Sequence, residues 1–168
     1  MLQICSMLRS KQLTPDQALQ KARHYCAYQE RCHQELRQKL YEYGLRQAEV
    51  ENAIATLIDE DYLNEERFAL QFAGGKFRMK SWGYNRITRE LQQRQISDYC
   101  IRKAIQAISP EDYRKTLEKI TRSKWEQLAG EQPLVRIKKV QDYLLYKGFD
   151  WSEIREIIAR TQDQASVD

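Results

Sequence analysis

Two stretches of this sequence carry the side-chain types that bind metal ions. His24, Cys26, Cys32 and His33 offer imidazole and thiol groups, which are zinc ligands. Their spacing matches none of the usual paired-cysteine patterns, and no second cluster completes them, so we expect isolated thiols and partly exposed histidines. The acidic run 59–66 could supply Mg²⁺ ligands, but carboxylates are also favoured where a new helix begins. We therefore predict no metal and no other cofactor.

The sequence also lacks the patterns of the common catalytic sites. It contains only two histidines, no serine in a strand–turn–helix elbow and no glycine-rich phosphate loop. We therefore predict that the protein is not an enzyme.

The segment from Gly74 to Lys103, which we call the basic block, has the composition of a surface for an anionic partner. Its eight basic residues and two acidic ones give +6, whereas the whole chain carries only +4. Aromatic residues are interleaved with the charges, as in many nucleic-acid-binding and acidic-partner surfaces. The alternative is an ordinary solvated helix face. The candidate partner- or DNA-binding residues are Lys76, Arg78, Lys80, Trp82, Tyr84, Arg86, Arg89, Arg94, Arg102 and Lys103.

The composition favours an all-α protein in which helices position these residues. Among 168 residues, 31% are charged and 42% hydrophobic, with only six glycines and three prolines. No apolar run approaches the roughly 20 residues that span a bilayer, and the first residues are too polar for a secretory signal. The four cysteines are scattered, which is typical of reduced thiols. We expect a cytoplasmic monomer with no membrane segment.

Capping signals and apolar spacing predict the first three helices. Thr14, Pro15 and Gln17 form a capping box with proline in the first turn. A second helix is predicted from about Cys32 to Tyr43, and a third from about Arg46. The predicted apolar positions are Ala18, Ala22, Tyr25 and Tyr28 on the first helix, Leu36 and Leu40 on the second, and Val50, Ile54, Leu57 and Ile58 on the third.

The pattern of the second and third helices then recurs twice. Leu36, Leu40, Leu45, Val50 and Ile54 reappear 51 residues later, and again after a further 53. We predict three tandem three-helix repeats in an elongated, curved array. The predicted boundaries are an N-terminal segment at 1–13, repeats at 14–62, 63–108 and 109–161, and a disordered polar tail at 162–168.

Two local predictions concern the second repeat. The pair Gly74 and Gly75 is expected to break or bend its first helix. Arg86 and Arg89 lie three residues apart on its second helix and are expected to point away from Ile87 and Leu91. Reversing both charges should then leave the fold intact.

Three segments resemble the RecX family of bacterial regulatory proteins: residues 40–72, 80–97 and, more weakly, 142–158. The sequence departs from the family at Cys32, a poorer helix cap than the usual serine, at Gly74, and at Gln95, which replaces a turn glycine. The resemblance implies three tandem three-helix repeats and no catalysis. It also implies binding to the RecA recombinase filament, with restraint of strand exchange and of the SOS response. DNA binding would then be weak, non-specific or through the filament.

Two other functions remain open at this stage. Residues 91–98 join two helices by a short turn, loosely like a helix-turn-helix, which would suit a sequence-specific DNA-binding protein. The second of these two helices carries side chains that would reach base edges: Tyr99, Arg102, Lys103 and Gln106. The other alternative is a helical-repeat adaptor for acidic proteins.

Overall fold

The computed structural model describes residues 12–165, and this part of the chain contains nine α-helices and no strand. The all-α class and the tandem three-helix organisation are therefore confirmed. Most of the N-terminal segment 1–13 lies outside the described residues. The helices are α1 (Pro15–Tyr28), α2 (His33–Glu42), α3 (Gln47–Asp59), α4 (Glu65–Lys80), α5 (Tyr84–Gln93), α6 (Asp98–Gln106), α7 (Pro110–Gln127), α8 (Pro133–Lys147) and α9 (Trp151–Ala165).

Side-chain caps begin the first helix of the first and third repeats. Before α1, the Thr14 hydroxyl accepts from the Gln17 amide at 3.3 Å, and the Gln17 side chain accepts from the Thr14 amide at 3.2 Å. Before α7, the Ser109 hydroxyl accepts from the Asp112 amide at 3.3 Å. Each cap satisfies backbone donors that have no partner inside the helix, which fixes where the helix starts.

The aligned apolar positions form the cores of the three repeats. All fifteen positions except Ile105 are buried, and in that repeat Ala104, 1% exposed, fills the core instead. Two other predicted core residues are wrong: Tyr28 is 87% exposed and Ile58 is 45% exposed. On their helices Cys26 and Ala53 are buried instead. On α3 the four-residue step from Ile54 overshoots the 3.6-residue turn, so Ile58 lies off the buried stripe. On α1 the buried stripe follows Ala18, Ala22 and Cys26, and Tyr28 lies on another face.

The turn between the second and third helices has the same geometry in all three repeats. Gly44, Gln95 and Gly148 have φ of 91°, 59° and 92°, in the left-handed region. One backbone hydrogen bond also recurs in each repeat. The amide of the residue after the turn residue donates to the carbonyl of the core leucine in α2, α5 or α8, at 3.3, 3.1 and 3.2 Å. Gln95 adopts a conformation that costs a non-glycine residue about 1–2 kcal/mol. The aligned turn is therefore confirmed.

Helix α4 is continuous through Gly74 and Gly75, so the predicted break is wrong. Ala73 and Phe77, on either side of the glycine pair, are buried. Their packing outweighs the roughly 1 kcal/mol per residue that glycine costs in a helix interior. At the other end of the chain, α9 continues through Ala165, beyond the predicted start of the polar tail at 162.

The chain divides into two compact units, the first ending at Phe68 and the second beginning at Ala69. Most of the first repeat lies in the first unit, around a core that includes Leu36, Leu40 and Leu57. The second unit holds the third repeat and most of the second. Within residues 12–165, none of the helices has the length and apolarity needed to cross a membrane.

A backbone contact joins the second and third repeats inside the second unit. The Gly83 amide, just before α5, donates to the Lys147 carbonyl at 2.8 Å, and the Asn85 amide donates to the Gly148 carbonyl at 3.1 Å. A Cβ on Gly83 would lie 2.4 Å from the Gly148 oxygen, a distance that no side chain tolerates. The close approach therefore requires glycine at position 83.

Candidate partner-binding surface

The ten candidate residues all lie in the second unit, on α4, α5, α6, the α4–α5 connection and the α5–α6 turn. The structure separates them into two groups. One group contacts aromatic rings, a carboxylate or backbone carbonyls of the protein itself. The other group presents exposed charges to solvent: Arg78, Lys80, Arg89 and Arg102.

Cations and rings alternate along one part of this unit, which we call the cation–aromatic row. The Arg94 guanidinium lies 4.8 Å from the centre of the Phe72 ring. The Lys76 ammonium lies 5.2 Å from both the Phe72 and the Trp82 rings. Such contacts contribute about 0.5–1 kcal/mol each at exposed sites. The complete row is Arg94, Phe72, Lys76, Trp82, Arg86 and Tyr146.

Arg86 is the last cation of this row and connects two repeats. Its guanidinium lies 4.2 Å from the Trp82 ring and 4.4 Å from the Tyr146 ring, and it donates to the Tyr146 carbonyl at 2.9 Å. Arg86 is therefore half-buried between α5 and the end of α8. The premise that Arg86 is an exposed charge is wrong, so we now expect reversal of its charge to cost stability. The premise holds for Arg89, which is exposed.

Tyr84 belongs to the packed side of the unit. Its ring stacks on that of Tyr113 with centroids 3.8 Å apart, and the Tyr113 hydroxyl donates to Glu153 Oε2 at 3.2 Å. Burial raises the pKa of both tyrosines above the ordinary value. The two rings line a cavity of about 250 Å³ between α5, α7 and α9, with Leu117 and Ile157 on its apolar wall.

Two further candidate cations are engaged within the protein. Arg94 donates to the Glu90 carboxylate at 2.9 Å and to the Glu90 carbonyl at 2.7 Å, so its charge is neutralised locally. The Lys103 ammonium lies 4.8 Å from the Tyr99 ring. By contrast, among the described residues no carboxylate pairs with any of the four exposed cations.

Sequence reasoning missed two residues of the third repeat that belong to this surface. The Lys147 ammonium donates to the Lys80 carbonyl at 2.8 Å, and the Tyr146 ring contacts Arg86. Burial lowers the pKa of Lys147, and the nearby charges of Arg86 and Lys80 lower it further. The signal was in the repeat alignment, because Lys147 lies 53 residues after Arg94 and each precedes the left-handed turn residue.

The cysteine and histidine side chains considered for zinc lie mostly in the protein interior. Cys26 and Cys32 are buried, and burial raises the pKa of the Cys26 thiol to about 11. Burial also lowers the pKa of His33. Over residues 12–165, no three or more His, Cys, Asp or Glu side chains are grouped as metal ligands.

Family models and relatives of known sequence match this chain. Three successive models match: the first three-helix domain of RecX over residues 18–57, the second over 64–105 and the third over 100–158. The regulatory protein RecX of Pasteurella multocida is 31% identical over 130 residues, covering 76% of this chain and 77% of that protein. The regulatory protein RecX of Thermotoga maritima is 29% identical over 154 residues, covering 89% and 88%.

Solved structures agree on the fold. The crystal structure of RecX from Lactobacillus salivarius superposes with a TM-score of 0.77 at 20% identity, covering 88% of this chain and 96% of that one. A second structure, of a regulatory protein RecX, gives 0.78 at 22% identity, covering 86% and 71%. The protein is thus a tandem three-helix-repeat protein. Together with the sequence relatives, these matches show that the chain belongs to the RecX family of regulatory proteins.

Proposed function

We propose that this protein is a non-catalytic regulator that binds the RecA–DNA filament in the cytoplasm and inhibits recombinase activity. Inhibition would restrain DNA repair by recombination and the SOS response. Membership of a family of regulatory proteins supports the regulatory part. The observation that carries the binding part is the set of exposed cations without carboxylate partners: Arg78, Lys80, Arg89 and Arg102.

The proposed mechanism is linkage between binding and the state of the filament. A recombinase filament presents DNA phosphate and protein surface side by side, and exposed cations suit either anionic phosphate or carboxylate groups. A monomer of this protein that contacts neighbouring RecA subunits would bind one filament state better than the other. Such differential affinity shifts the filament away from its active, extending state without any chemical step.

Charge reversal at two exposed arginines tests the proposal. Arg89→Glu with Arg102→Glu should abolish inhibition of RecA-driven ATP hydrolysis and co-sedimentation with pre-formed filaments. Both side chains are exposed, so each substitution should change stability by no more than about 0.5 kcal/mol. Bare DNA in a parallel sedimentation separates direct DNA binding from filament binding.

The matched control reverses two lysines of α8 whose charges are already neutralised. Lys138 donates to Asp142 at 2.8 Å, and Lys139 pairs with Glu131. Lys138→Glu with Lys139→Glu should retain most of the inhibition. If the Arg89/Arg102 variant inhibits as well as the wild type, the basic block does not bind the filament and is an ordinary solvated helix face.

The second candidate function is sequence-specific DNA binding through α6. On this helix Tyr99 is 55% exposed, and Arg102 and Gln106 are exposed too, so they are available to base edges. The same turn occurs in all three repeats, including those without the basic residues, which favours a packing role for it. A footprinting experiment decides, since a sequence-specific protein protects one defined site and a filament binder protects none.

A further inference from the structure

Three basic residues from two repeats come together beside the α4–α5 connection. Lys147 Nζ contacts the Lys80 carbonyl, and the Arg86 guanidinium contacts the Tyr146 carbonyl, one residue before Lys147. Burial lowers the pKa of Lys147, and the charges of Arg86 and Lys80 lower it further. The cluster joins the end of α4, the first turn of α5 and the end of α8.

No carboxylate compensates this cluster within the described part of the chain. The ion pairs of the second unit involve other cations, namely Arg94, Lys115, Lys138, Lys139 and Arg160. The first turn of α5 contains no acidic residue either. Like charges on neighbouring residues without a counter-ion repel one another, and an anion placed among them relieves that repulsion.

An aromatic ring with an accessible face lies next to the cluster. Tyr146 is 69% exposed, and the Arg86 guanidinium covers one side of its ring at 4.4 Å. The contact to Arg86 fixes the ring in place, while the high exposure leaves room for a second planar group. Trp82, by contrast, is contacted by both Lys76 and Arg86.

We propose that Lys80, Arg86 and Lys147 hold a phosphate of single-stranded nucleic acid while an adjoining base stacks on Tyr146. This assignment deepens the proposed function, on which it rests for the source of the strand. Cations that follow a phosphate backbone, combined with an open aromatic ring, are how proteins bind single strands without sequence preference. An acidic protein segment would use the cations but leave the ring unoccupied, and a duplex keeps its bases stacked inside the helix.

Fluorescence anisotropy with a labelled oligo-thymidylate and no RecA tests the site. Tyr146→Leu should weaken binding roughly tenfold because it removes the stacking surface, whereas Tyr146→Phe should bind like the wild type. Lys147→Gln should lower the slope of log affinity against log salt by about 0.7, the value for one phosphate contact on a single strand. Thermal unfolding by circular dichroism checks that each variant is folded.

Matched controls come from residues outside the cluster. Tyr28→Leu removes a tyrosine that is 87% exposed on α1, and Lys119→Gln removes an exposed cation of α7 that has no ion pair among the described residues. Both controls should bind the oligonucleotide like the wild type. An oligomer of abasic sites should bind the wild type and Tyr146→Leu equally well.

Three results would overturn the proposal. They are wild-type affinity in Tyr146→Leu, an equal loss in Tyr146→Phe and Tyr146→Leu, and competition by poly-glutamate as strong as competition by the oligonucleotide. Because RecA is absent from this assay, its outcome is independent of the filament experiment. Loss of the RecA effect with intact oligonucleotide binding, or the reverse, identifies which of the two ideas fails.

Discussion

The first repeat and the basic block share a helical frame but treat their cations differently. In the first repeat Arg23 pairs with Glu60 at 2.6 Å and Arg37 pairs with Glu51 at 3.0 Å. Arg67, at the end of the first unit, pairs with both Glu30 and Asp61. In the basic block Arg94 pairs with Glu90 at 2.9 Å, whereas Lys76 and Arg86 contact aromatic rings and Arg89 extends into solvent.

The difference separates what all the repeats need for folding from what is particular to the basic block. The buried leucines and the left-handed turns are common to all three repeats, so they belong to the frame. Cations neutralised by internal carboxylates have little field left for a ligand, whereas cations on rings keep their full charge. The uncompensated positive charge of the basic block therefore comes from omitted carboxylates as much as from added arginines.

Substitution of the frame leucines should have the largest effect and should be equal across repeats. Leu40→Ala, Leu91→Ala and Leu144→Ala each remove a side chain that is 0% exposed. Each should lower the free energy of unfolding by about 2–5 kcal/mol, measured by urea denaturation. A neutral result at any of the three positions would break the alignment of the repeats there.

Removal of an internally paired cation should have an intermediate effect. Arg67→Met leaves the Glu30 carboxylate, whose side chain is 15% exposed, without its arginine. An unpartnered, mostly buried acceptor costs about 1–3 kcal/mol, which urea denaturation would detect. Arg89→Met in the basic block removes an exposed cation and should change stability by no more than about 0.5 kcal/mol.

The double variant Glu30→Leu with Arg67→Met sharpens the comparison. Because both partners are then apolar, it should be more stable than Arg67→Met alone. Equal losses in Arg67→Met and Arg89→Met would mean that internal pairing does not distinguish the two regions.

The smallest expected effect is a pH dependence confined to the first repeat. Hydrogen bonds from Arg37 and Arg23 lower the pKa of Glu51 and Glu60 below the ordinary value. A carboxyl whose folded pKa is lowered stabilises the fold above its unfolded pKa of about 4.3, and this contribution disappears as the pH falls through the folded pKa. Arg23→Gln with Arg37→Gln should therefore lower Tm slightly at pH 7, and this difference should shrink as the pH falls through the folded pKa values of the two carboxyls.

The matched variant Arg78→Gln with Arg89→Gln changes two exposed arginines that have no carboxylate partner within the described chain. Its Tm difference from the wild type should not follow the carboxyl titration. Circular dichroism melts at several pH values and at low salt measure both variants, because exposed pairs are screened. The same pH profile in both would show that the arginine–carboxylate pairs do not cause it.

The frame could be predicted from the sequence because its signals are local. The capping box at Thr14 and the apolar spacing within each helix depend on neighbours within a turn or two. The recurrence after 51 and 53 residues repeats these local signals along the chain. The continuity of α4 through Gly74 and Gly75 could not be predicted in this way, because it depends on the packing of Ala73 and Phe77. Local propensity is overridden wherever a long-range contact is stronger.

The role of the candidate residues was harder to predict for the same reason. Arg86 looks like a surface charge in its own helix, and only Tyr146, sixty residues further along the chain, turns it into a half-buried contact. Lys147 lies outside the segment of highest charge, so a count of basic residues does not find it. Charge composition identified the region, and tertiary contacts determine which of its side chains remain exposed.

The glycine contact between Gly83 and Gly148 means that the repeats are not interchangeable modules. At the position of Gly83, the first repeat carries Cys32 and the third carries Arg136. Either Cβ would collide with the backbone at Gly148, where a separation of 2.4 Å leaves no room. A chain rebuilt by copying the first or third repeat into the middle position would lose this junction. The absence of a Cβ at position 83 is therefore one feature that restricts the middle position to the second repeat.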